Sequence, residues 1–191
     1  MTEPWSGLPP VLAEEVSDAW NHVFPEGLPA WANEAAGLEP PLLAGAMARS
    51  LFLRETLQRH SELVQQAVTA RPLSEPTTTD SLRQRWQDYL QGVTDEPSLH
   101  RALRRFRRES QFRMIWRDAL KLADYHETVA AASDFADIGI QAALDWLYPR
   151  ACEELGTPYG PDPVTGDESP QPMIVLGMGK LGGHELNISS D

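Results

Sequence analysis

A mainly α chain is predicted: a helical bundle followed by the first strand and glycine-rich turn of an α/β domain. Two features of the 191 residues predict it. Apolar residues recur at helical spacing from about Leu42 to Leu155, the pattern that buries one stripe of each helix. The short, partly β-branched run Met173-Ile174-Val175-Leu176 then leads straight into glycine, as a buried strand does when it enters a turn. The expected parts are a Pro-rich segment with a short helix (1–41), a helical domain (42–155), a Pro/Gly loop (156–172) and the truncated start of the α/β core (173–191).

Prolines punctuate the first forty residues, and a helix fits between Pro10 and Pro25, with Val11, Leu12, Val16 and Trp20 on one side. Leu43, Met47, Leu51 and Phe52 predict one helix over Leu42 to Arg59. Ser61 is the expected cap of the next, which carries Leu63, Val64 and Val68. After a turn with Pro72 and Pro76, Thr79 or Asp80 caps a helix bearing Leu82, Trp86, Tyr89 and Leu90. Another starts near Asp95, with Pro97 in its first turn. Its two stripes, Leu99-Leu103-Phe106 and Phe112-Trp116-Leu120, point apart, so it is buried on two sides or bends. Ser133 is the expected cap of a last helix with the stripe Ile140, Leu144, Leu147, Ala151 and Leu155. Pro149 falls inside it and should bend it near Asp145–Pro149. Five prolines and three glycines make 156–172 a loop.

Composition narrows the classes. Hydrophobic residues at 41% and charged residues at 23% are ordinary for a globular chain. The length suffices for a core without disulfides or structural metal. Sixteen basic against 28 acidic residues give a formal charge of −12. That balance repels nucleic acid, so any anion site must be built locally. No stretch is long and apolar enough to cross a bilayer, and the start lacks a leader pattern. Neither nucleic acid nor a membrane is an expected partner. A lone Cys152 suits a reducing compartment, and the expected location is cytoplasmic.

Chemistry concentrates in the tail, Gly177-Met178-Gly179-Lys180-Leu181-Gly182-Gly183 and on to Ser189-Ser190-Asp191. Glycines let backbone N–H groups approach phosphate oxygens, and a carboxylate beyond them suits Mg²⁺. Gly177, Gly179 and Gly182 satisfy a dinucleotide fingerprint, but Gly183 to Asn187 open poorly as the required helix. A P-loop fails because Gly183 stands where lysine is needed. A polymerase-β-like nucleotidyltransferase fits the spacing of Gly182-Gly183 to Asp191.

The run Leu176 to Asp191 closely resembles the bacterial bifunctional glutamine synthetase adenylyltransferase/adenylyl-removing family. Leu103–Arg108, Ile115–Asp118, Ala123-Asp124 with Glu127-Thr128, and Ile140–Leu147 resemble it too. Gly-Met-Gly-Lys-Leu-Gly-Gly followed by Glu185-Leu186-Asn187 looks like the amino-terminal, adenylyl-removing half. The resemblance implies phosphorolysis of an AMP-tyrosine on glutamine synthetase, releasing ADP, while the other half adds AMP from ATP. It implies glutamine synthetase and the PII signalling protein as partners. It implies Asp191 as a catalytic Mg²⁺ ligand, with Gly182, Gly183, Lys180, Ser189 and Ser190 as phosphate-binding candidates. One carboxylate cannot hold two metals, so the 191-residue polypeptide is expected to be a truncated, inactive piece. His184 stands where arginine is expected, which makes charge there pH-dependent.

The basic run Arg101, Arg104, Arg105, Arg107, Arg108, Arg113 and Arg117 has two readings, a solvated face paired with carboxylates or an anion or partner site. Two rival functions stay open: another nucleotidyltransferase, and a non-enzymatic helical docking module.

Overall fold

The computed structural model describes residues 3–34 and 40–188. The architecture is mainly helical, as expected. Five helices form the first half: α1 (Pro10–Val23), α2 (Ala30–Glu34), α3 (Pro40–Arg49), α4 (Leu51–Arg59) and α5 (Ser61–Ala70). Three more follow among the described residues: α6 (Thr79–Leu90), α7 (Glu96–Ala119) and α8 (Tyr125–Leu155). A small hairpin, β1 (Tyr159–Pro161) and β2 (Glu168–Pro170), and a single turn, α9 (Gly179–Gly182), come last. Among the described residues no helix is long and apolar enough to cross a membrane.

Several helix starts differ from expectation, each for a local reason. The helix expected over 42–59 is two. Ser50 is extended, and its Oγ accepts the Leu53 N–H at 3.3 Å, the side-chain competition that makes serine a cap. Ser61 is the first residue of α5, not its cap. His60 both ends α4 and precedes α5, with no side-chain bond. α6 is capped by Thr78 in a reciprocal box with Ser81. Asp80 instead sits in the first turn, where its charge favours the helix dipole. α7 starts as predicted, with Asp95 and Ser98 exchanging bonds and Pro97 in the first turn.

α8 starts earlier than expected. Asp124 accepts the Glu127 N–H at 2.8 Å, and Ser133 is a fully buried residue within the helix. The helix continues through Pro149, where the Asp145 carbonyl necessarily lacks its usual partner. The expected stripe is not the buried one. Ile138, Ala142 and Trp146 face the core, whereas Leu155 is 83% exposed. The 156–172 loop also carries order: Gly160 pairs with Ser169 in the hairpin. Asp162 closes its turn by accepting the Val164 and Thr165 N–H groups at 2.8 and 2.9 Å. The Tyr148 hydroxyl donates to the Gln171 carbonyl and ties the hairpin to α8.

The strand read at 173–176 does not form. These residues have no regular structure, and Ile174 and Leu176 are 74% and 82% exposed. A strand is held by hydrogen bonds to a neighbour, and among the described residues none lies alongside.

Packing explains the two stripes of α7, which is buried on two sides. Phe106 and Leu99 pack with Leu82, Trp86 and Ala142 in one cluster. Phe112 and Trp116 pack with Val16, Trp20, Met47 and Leu53 in another. Trp20 lies edge-on to Phe24 with centroids 5.2 Å apart. Val11, expected on that side of α1, is exposed.

The arginine run divides. Arg117 is 2% exposed; it donates to the carbonyls of Leu73, Ser74 and Leu122 at 2.8–3.0 Å and grips Glu127 at 2.7 and 3.0 Å. Arg113 is also buried and donates to the carbonyls of Arg71, Pro72 and Glu75. Burial, with Arg71 and Arg117 nearby, lowers its guanidinium pKa. These two arginines fix the 71–76 turn by satisfying carbonyls that no helix serves. They belong to neither reading of the run.

Candidate functional site

The segment after Leu176 folds back on the α7–α8 pair. Leu186 and Ile188 pack against a patch made by Met114, Ala131, Ala132 and Phe135. Ser133 supplies the polar register. Its Oγ donates to the Val129 carbonyl at 2.9 Å and accepts the Leu186 N–H at 3.0 Å. A serine mid-helix often bonds the carbonyl four residues back; here the remaining lone pair receives the tail. His184 adds a second attachment, with Nε2 3.5 Å from Asp134 Oδ1 when protonated. Asp134 is itself fixed by the Thr79 hydroxyl, which donates to Oδ2 at 2.5 Å.

The glycines have distinct local tasks. Gly179 sits at φ +58, the left-handed region that favours glycine. A Cβ on Gly182 would lie 2.5 Å from the Gly177 carbonyl oxygen, so the turn closes only with glycine there. The Gly182 and Gly183 N–H groups donate within the turn, to Met178 O at 3.3 Å and Gly179 O at 2.9 Å. The Glu185 N–H closes the segment onto the Lys180 carbonyl at 2.7 Å.

Of the candidate residues, Lys180, Gly182 and Gly183 share this exposed turn. Ser189, Ser190 and Asp191 lie outside the described residues. Among the described residues, no three His, Cys, Asp or Glu side chains converge as metal ligands. The residues that seat the turn, Ser133, Asp134 and Thr79, were not singled out as such from the sequence. The alternation of Leu186 and Ile188 around Asn187 was the available signal for a docked, one-sided segment.

Residues 41–191 match the family described as glutamate-ammonia ligase adenylyltransferase. The chain belongs to that family. Among adenylyltransferase relatives, the bifunctional glutamine synthetase adenylyltransferase/adenylyl-removing enzyme of Pseudomonas aeruginosa is 42% identical over 144 residues. The match covers 75% of this chain and 14% of that enzyme. The enzymes of the same name from Pseudomonas syringae pv. tomato and Pseudomonas putida are 41% and 40% identical, with the same coverage. This chain therefore spans a small part of the length of the relatives it matches.

Proposed function

We propose that these residues form part of the adenylyl-removing half of a glutamine synthetase modifying enzyme. In this reading inorganic phosphate attacks the phosphorus of AMP on a modified tyrosine of glutamine synthetase, the tyrosine oxygen leaves and takes up a proton, and AMP joined to phosphate departs as ADP. The observation that carries the reading is the glycine segment 177–183, followed by Glu185-Leu186-Asn187 and closed into a turn against α7 and α8. Leu186 and Ile188 hold the chain on that patch just before Ser189-Ser190-Asp191. Lys180, Ser189 and Ser190 then serve phosphate, and Gly182 and Gly183, whose N–H groups donate within the turn, let the phosphate approach the bare backbone. Asp191 offers the hard oxygen donor that Mg²⁺ takes, and bound Mg²⁺ neutralises phosphate charge. Glutamine synthetase is the substrate protein, a PII-type protein the regulator, and the cytoplasm the setting.

The test uses the full-length enzyme with Asp191→Asn. Phosphate-dependent release of AMP from glutamine synthetase should be abolished, while ATP-dependent adenylylation persists. Retained release, or selective loss of adenylylation, overturns the assignment.

A further inference from the structure

The outward arginines of α7 form a surface unlike the rest of the chain. Arg104, Arg105 and Arg108 lie three, four and seven residues after Arg101. They therefore share one stripe with it, about 10 Å long at 1.5 Å per residue. Arg101, Arg104 and Arg105 are exposed, and Arg108 is half-buried. One turn further along the same side comes Phe112, wholly buried in the first cluster, so packing on this side of α7 ends where the stripe begins. The end of α4, which packs on α7, closes that edge with Arg59 and His60. Burial first, then Arg108 and Arg59, lower the His60 pKa.

The chain is acidic, yet its carboxylates do not meet this stripe. Elsewhere arginines are paired: Arg54 with Glu15, Arg85 with Glu109 and Arg117 with Glu127, each at 2.7 Å. Among the described residues none of the stripe arginines forms an ion pair. Arg105 donates to the neutral Gln66 amide oxygen at 3.1 Å and lies over the Tyr89 ring. The arrangement weakens the helix. Arg101 with Arg105 and Arg104 with Arg108 are like charges four apart; Arg101 with Arg104 and Arg105 with Arg108 are three apart. Such pairs destabilise a helix. Carboxylates laid along the stripe turn the repulsion into attraction, and arginine pairs each of them through two parallel N–H bonds. A nucleic acid fits poorly, because the net charge of −12 repels an extended polyanion. A folded protein with one acidic face brings its charge only to the stripe. Arg107 points instead to the groove beside the glycine turn, so the stripe and the turn occupy neighbouring sides of one helix.

We propose that the stripe Arg101, Arg104, Arg105 and Arg108 docks an acidic face of the protein substrate, glutamine synthetase. The proposal deepens the function given above and rests on it for the identity of the partner. It separates the outward arginines from Arg113 and Arg117, which hold the 71–76 turn.

Binding of the full-length enzyme to immobilised adenylylated glutamine synthetase tests it. Arg101→Glu with Arg108→Glu converts every like-charge pair of the stripe into an opposite pair, so the helix gains while the stripe loses its net charge. The Kd should rise about tenfold at low salt, the scale of a few exposed ion pairs. Its salt dependence should flatten. The urea midpoint should stay at or above that of wild type, the reverse of what losing a structural arginine gives. Arg101→Lys with Arg108→Lys keeps the charge and should bind close to wild type. An unchanged Kd in the Glu variant, or a raised Kd with a lowered urea midpoint, overturns the proposal. So does stripe-dependent binding of a labelled RNA duplex, or stripe-dependent self-association, with glutamine synthetase binding unchanged. Asp191→Asn, assayed for AMP release, separates the two claims. Lost release with stripe-independent binding sinks the docking alone; retained release with stripe-dependent binding sinks the adenylyl-removing assignment alone.

Discussion

The bundle and the segment after Leu155 use similar apolar residues to different ends. Leu53, Met47, Phe106 and Phe112 are wholly buried, each between two or more helices. Met173, Ile174, Val175 and Leu176 are as apolar, yet all four are more than half exposed. The contrast shows that apolar character alone does not make a core. Burial also needs partner elements at the right spacing, and among the described residues after Leu155 it is Leu186 and Ile188 that pack on such a partner.

Substitutions sharpen this difference. Arg117→Ala should have the largest effect. It strands the partly buried Glu127 and the carbonyls of Leu73, Ser74 and Leu122, and breaking a buried ion pair costs about 3–5 kcal/mol; urea unfolding measures it. Phe106→Ala should cost about 3–4 kcal/mol by the same measurement, through the cavity left among Trp86, Tyr89 and Phe135. Either variant unfolding at the wild-type midpoint would show that the bundle is not held as described.

Acid should weaken the bundle through Glu127. Partial burial by itself raises that carboxyl, but hydrogen bonds from Arg117 and the Thr77 N–H outweigh it and hold the group below the usual carboxylate range. A depressed folded value means the contribution is present above the unfolded value of about 4.3. It fades as pH falls through the lower, folded value. Stability measured from pH 7 to 3 should drop in wild type and drop less in Glu127→Gln.

Smaller effects belong to the tail. Ser133→Ala should cost about 1 kcal/mol and speed hydrogen exchange at the Leu186 N–H, leaving the bundle protected. Val175→Thr should shift stability by less than about 0.5 kcal/mol, as exposed sites do. A large loss there would mean that 173–176 is packed after all.

Legibility followed the same divide. The Asp95 cap with Pro97 was readable because both signals act within one turn. The double burial of α7 was readable from its two stripes. Ser50, Thr78 and Asp124 were missed as caps. Short runs rich in Ser, Thr and Asp offer several oxygens, and tertiary partners decide among them: Thr79, one expected cap, is taken by Asp134. Asp124 followed three residues later by Glu127 was a capping signal in plain view, although Glu127 turns to Arg117 instead. The glycine segment was readable as a tight turn. That Ser133 receives it was not, because the contact joins residues 53 apart in sequence.

α8 has 31 residues, roughly 46 Å at 1.5 Å per residue. Its length up to Trp146 is set in the bundle, and the part beyond stands largely in solvent while carrying the hairpin through Tyr148. Such a beam amplifies small rotations: a bend of about 5° at Trp146 carries Gly156, about 15 Å further on, by roughly 1.3 Å. The glycine turn, attached near the fixed end at Ser133, would hardly move. Whatever pushes on the hairpin can therefore shift the outer end of the beam while the seat of the glycine turn stays in place.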